Sequence, residues 1–162
     1  MISTLRDFIN PRRHYYWIPQ ILAIVIVGPL AWMAFDRTPP LTLFDGTINP
    51  NKVYRGQENV ELKWRAHYAG RDCPGFTQRE LVDKNRNIWP FLVRSRQGIF
   101  QADPGTPLLG TVSTPPLVIP EAMAIGPASY KVTQFYFCNA LQRWLHWPIV
   151  QISPPIHFEV VP

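Results

Sequence analysis

One stretch limits this chain more than any other: residues 18–35, IPQILAIVIVGPLAWMAF, which contain no charged side chain. At about 1.5 Å of rise per residue a helix of that length covers about 27 Å, which predicts a transmembrane helix at the short end of the spanning range. Tyr15, Tyr16 and Trp17 at one end and Trp32 near the other match the aromatic belts found at headgroup level. A buried helix of a water-soluble protein is disfavoured, because it normally shows a polar stripe and this run has only Gln20. Gly28 and Pro29 fall in mid-segment and predict a kink.

The segment divides the chain. Residues 1–17 form a basic arm with Arg12 and Arg13 just before the apolar run, and the far flank begins Asp36-Arg37, whose charges cancel. The positive-inside tendency then keeps the N-terminus in the cytoplasm and exports the rest, which predicts a single-pass protein of the inner membrane with the bilayer as one partner. Signal cleavage needs small residues before the cut. Trp32 occupies such a position, so an uncleaved signal anchor is the expectation. Asp36 to Pro40 (DRTPP) reads as a stiff connector and residues 41–162 as one extracytoplasmic domain.

The domain predicts strands. The chain has 18 prolines in 162 residues, about twice the usual share of about 5%. They punctuate many short apolar runs, which argues for strands joined by turns. From Val60 to Tyr68 apolar Val60, Leu62, Trp64, Ala66 and Tyr68 alternate with Glu61, Lys63, Arg65 and His67, the period of a half-buried strand. Lys84 to Asn87 separates two apolar runs as a hairpin turn would, and Ser129 to Cys138 reads as a late central strand. The last strand, Ile149 to Val161, is interrupted at Pro154-Pro155, and no helical pattern follows residue 35.

Cys73 and Cys138 are the two cysteines. In an exported domain an even count predicts a disulfide. A Cys2His2 metal set with His67 and His146 is the alternative, but its spacings do not match the usual short ligand pairs. Trp64 on an early alternating strand, the cysteine pair, and the run from Gly126 to Tyr130 leading into a late strand together resemble the immunoglobulin-like and fibronectin-III-like domains. That resemblance implies an all-β fold, a seven- to eight-stranded antiparallel β-sandwich behind the transmembrane helix, and by itself dictates no function.

Charge excludes one function class. The formal +5 divides into +2 on the arm and +3 on the remainder, where cations alternate with acids as on a solvated face. This is no nucleic-acid footprint. The chain also lacks the nucleophile-elbow, zinc-protease and phosphate-loop signatures, and Asp72, Asp83 and Asp103 lie in or beside turns, where carboxylates bond their own backbone. No enzyme activity, cofactor or metal is expected.

The candidate site is aromatic: Tyr136, Phe137, Arg143, Trp144, His146 and Trp147, in a part of the chain where charges are rare. Exposed Trp and Arg are typical interface anchors, which predicts an accessory subunit that binds a protein partner or membrane complex. Flat aromatic surfaces also suit sugars, so a cell-envelope glycan binder using Trp144 and Trp147 is the alternative, and burial of both rings in the core is the structural one.

Overall fold

A computed structural model describes residues 17–96, 108–113 and 116–162. The alternation of β3 (Glu61–Tyr68) is the fold's axis: every second residue is buried and the intervening ones, His67 included, face water. β3 pairs antiparallel with β1 (Leu41–Asn49) on one edge and β6 (Leu108–Ser113) on the other, giving a three-stranded sheet. The second sheet takes β2 (Lys52–Tyr54), β4 (Gly75–Val82), β5 (Ile88–Arg96), β7 (Gly126–Tyr136), β8 (Ile149–Ile152) and β9 (Ile156–Val161) in the order β2-β9-β7-β4-β5, with β8 also on β7. One buried cluster joins the sheets, with Leu43, Leu62, Trp64 and Ala66 from the first and Leu81, Tyr130, Val132, Tyr136 and Phe158 from the second.

A bulge lets the largest core ring fit. The β1–β3 register shifts between Phe44 and Thr47, Asp45 takes a left-handed φ of 49°, and a side chain at Gly46 would overlap the Trp64 ring and Ile156. Glycine is therefore fixed there by packing. Opposite, Lys84–Asn87 closes the β4–β5 hairpin, and buried Asp83 holds the turn by accepting from the backbone N–H groups of Asn85 and Asn87 and from the Asn87 amide at 2.8–2.9 Å.

Three expectations are corrected. The strands are not all antiparallel: after the two-residue step Pro50-Asn51 the chain leaves the first sheet, and β2 pairs in the second, parallel to β9. Two helices are present among the described residues, α1 (Trp17–Phe35) and α2 (Ala140–Trp144), the second within the segment read as a plain connection. Among the described residues, nine strands and two helices replace an antiparallel sandwich of seven or eight.

The third correction concerns the membrane. Among the described residues no helix is long and apolar enough to cross one. The 19 residues of α1 rise about 28 Å, under the ~30 Å of a hydrocarbon core, and Pro29 lies inside the helix. The transmembrane signal anchor and the single-pass inner-membrane placement are overturned with it. Of the residues assigned to membrane interfaces, Arg12, Arg13, Tyr15 and Tyr16 lie outside the described residues, Trp17 opens α1, and Trp32 is exposed near its end.

Candidate functional site

The segment after β7 is short enough to read as a loop, yet several side-chain bonds and the disulfide hold it in place. Asn139 caps α2 by accepting the Gln142 N–H at 2.9 Å, and Gln142 itself is only 1% exposed. Every polar group of Gln142 is used. Its Oε1 accepts the Cys138 N–H at 2.7 Å, its Nε2 donates to the Asp36 carbonyl at 2.9 Å, and its own carbonyl accepts the Trp147 N–H. Asn139 Nδ2 also donates to the Met33 carbonyl, so the last turn of α1 is bound to the first turn of α2.

Two further links fasten the same place. Cys138 is bonded to Cys73, which lies between β3 and β4, so the disulfide joins the crossing between sheets to the start of the α2 segment. The bonded sulfurs leave no thiolate for the Cys2His2 set. Arg71 forks onto Asp36, donating from Nη1 at 2.8 Å and from Nη2 to the other carboxylate oxygen. Hydrogen bonding from Arg71 holds the Asp36 carboxyl below the usual aspartate range against the opposing effect of burial, and Asp36 raises the Arg71 guanidinium in turn.

What this scaffold presents is apolar. His146 takes a left-handed φ of 51° and turns the chain after α2, leaving Trp144 77% exposed, with Leu145 and Trp147 exposed beside it in sequence. The Arg37 guanidinium lies 3.5 Å from the centroid of the Trp147 ring and donates to the Pro148 carbonyl at 3.1 Å. One face of that indole is therefore covered by a cation.

The outer face of the second sheet carries a further apolar row. The registers place Phe76 of β4, Phe135 of β7 and Val150 of β8 side by side across three strands. Phe76 and Phe135 are stacked with centroids 4.5 Å apart, Phe137 is tilted at 6.5 Å from Phe76, and Val150 and Ile152 are 50% and 54% exposed.

Of the sequence-predicted site residues, Arg143, Trp144, His146 and Trp147 are exposed, and the two tryptophans are not folded into the core. Phe137 is half-buried. Tyr136 is corrected: it is 1% exposed and belongs to the core, because its side chain points to the inner face of β7 while Phe135 points outward. Sequence reasoning missed Arg37, Phe76, Phe135, Val150 and Ile152. Alternation along β7 would have found Phe135, since it shares a face with Phe137 once Tyr136 is placed inside.

Among the described residues no three His, Cys, Asp or Glu side chains are grouped to hold a metal ion. Asp83 serves its turn, Asp72 is exposed, and Asp103 lies outside the described residues. The arrangement suits contact with another molecule.

No family model matches the chain, and no curated protein matches it. Among solved structures it is similar to the Pseudomonas fluorescens alkylpurine DNA glycosylase AlkC bound to DNA containing an abasic site analog, at 9% identity and a TM-score of 0.42. The match covers 76% of this chain and 31% of that one, a likeness too slight to carry an argument.

Proposed function

We propose that this chain is a binding module that docks a protein partner through the aromatic surface formed by Trp144, Leu145, Trp147 and the Phe76–Phe135–Val150 row. The observation that carries the reading is the exposure of Trp144, Leu145 and Trp147 on a segment fixed by Gln142, the disulfide and the Asp36–Arg71 pair. A rigid apolar surface loses little conformational freedom on binding, which is what an interface anchor needs. A glycan platform is the weaker reading, because Arg37 already occupies one face of Trp147 and leaves Trp144 as the more open ring.

Photo-crosslinking residues placed at 144 and 147 of the full chain, irradiated in cells of its source, test the proposal. A discrete protein adduct is expected at both positions. Recovery of the unreacted chain alone would sink it, and retention on immobilised glycans that is lost in Trp144→Ala would establish the sugar reading instead.

A further inference from the structure

We infer that the uncovered edge of β8 accepts an extended segment of the protein partner as an added strand, and that this segment carries a carboxylate toward Arg37 and Arg143. The inference rests on the docking reading above and adds the partner's conformation and charge.

β8 and β9 are successive halves of one line beside β7. β9 pairs with residues Gly126–Tyr130 of β7, and β8 with Thr133–Tyr136. On the outer side β2 covers β9 at Glu159–Val161, but no described strand covers β8. Edges of this kind are normally blunted by a charge, a bulge or a proline within them. Here Pro148 and Pro154-Pro155 only bound the edge, and residues 148–156 contain no charged side chain. A strand laid along it would satisfy the free main-chain groups, and its outward side chains would extend the Phe76–Phe135–Val150 row.

Charge selects the occupant. Arg37, over the Trp147 ring and on the Pro148 carbonyl, stands at this end of the edge, and exposed Arg143 lies in the last turn of α2, four residues before Trp147. Neither has a carboxylate partner among the described residues, whereas Asp36, Asp45, Glu61, Glu80 and Glu159 are each held by another cation. A second copy offering its own β8 would bring no acid, since 148–156 has none. An incoming segment with alternating apolar side chains and an Asp or Glu at one end complements both the row and the arginines.

The probe is a displayed library of short random peptides selected on the immobilised full chain. Enriched peptides are expected to alternate apolar and polar residues with an acid at one end, and to protect β8 amides from hydrogen exchange when bound. Affinity is expected to fall about tenfold in Val150→Lys/Ile152→Lys, and in Arg143→Gln by a smaller factor that shrinks with salt. Val150→Thr/Ile152→Thr, which keeps strand propensity, guards against misfolding and is expected to bind with a several-fold loss. If Trp144→Ala abolishes binding while the lysine variant binds normally, the docking reading stands and strand addition is overturned. If neither variant matters, both fall. A dimer of the chain in sedimentation, broken by the lysine variant, would assign the edge to a second copy and overturn the proposal.

Discussion

Gln142 shows how much one buried side chain can organise. It joins Cys138, Asn139, Asp36 and Trp147, and none of these bonds is replaceable by water at 1% exposure. Gln142→Leu keeps the volume and leaves the Cys138 N–H and the Asp36 carbonyl without their partner. Leaving buried groups unsatisfied costs about 1–3 kcal/mol each, so a loss of roughly 2–6 kcal/mol is expected in urea denaturation. A loss below about 1 kcal/mol would show that the tether is not structural. Gly46 makes the complementary case, through space: Gly46→Ala must displace the Trp64 ring or the bulge, with a destabilisation of about 1–3 kcal/mol readable in thermal melts.

At the scale of elements, the β4–β5 hairpin depends on an ionised carboxylate. Burial raises the Asp83 carboxyl, but hydrogen bonds from Asn87, Ala124 and Asn85 outweigh it and hold it below the usual aspartate range. A depressed folded value means that Asp83 contributes stability above the unfolded value, and that this contribution disappears as pH falls through the folded one. Asp36 has the same sign through Arg71. Stability measured from pH 6 downward is therefore expected to drop below about pH 4. Asp83→Asn should flatten that drop while lowering the neutral-pH plateau; an unchanged acid limb would exclude the turn as its source.

The same scale explains what the sequence disclosed. β3 was readable because strict alternation has one solution when one face is buried, and the turn at Lys84–Asn87 followed from two apolar runs around polar residues. Tyr136 was misplaced because adjacent aromatics leave the face undecided, and a slip of one residue exchanges core for surface. α2 is five residues long and depends on Asp36 and Cys73, both remote in sequence, although Asn139 followed by Gln142 three residues later hinted at a cap. β2 is a three-residue strand whose parallel partner lies more than a hundred residues on, and no local pattern encodes that pairing. α1 was recognisable as a helix from its uninterrupted apolar run; its assignment as a crossing helix turned on a length at the edge of the spanning range.

Across the whole molecule, the crosslink ties the fold to the site. Cys73 lies where the chain passes from the first sheet to the second, and Cys138 begins the segment that carries Trp144 and Trp147. Closing a loop with a separation of 65 residues removes unfolded-state entropy worth about 4 kcal/mol in the chain-entropy account. Part of that stabilisation is local, because Cys138 donates to Gln142 and Gln142 fixes Asp36 and Trp147. Replacing both cysteines by serine is therefore expected to do two separable things. The denaturation midpoint should fall by an amount set by about 4 kcal/mol or less. Independently, below that midpoint, the α2 segment should loosen, seen as faster exchange of the Cys138 and Trp147 amides while β3 and β7 amides keep their protection. Uniform loss of protection across β3, β7 and α2 would mean that the bond stabilises only the global fold, and that the aromatic surface is held by Gln142 and the Asp36–Arg71 pair without it.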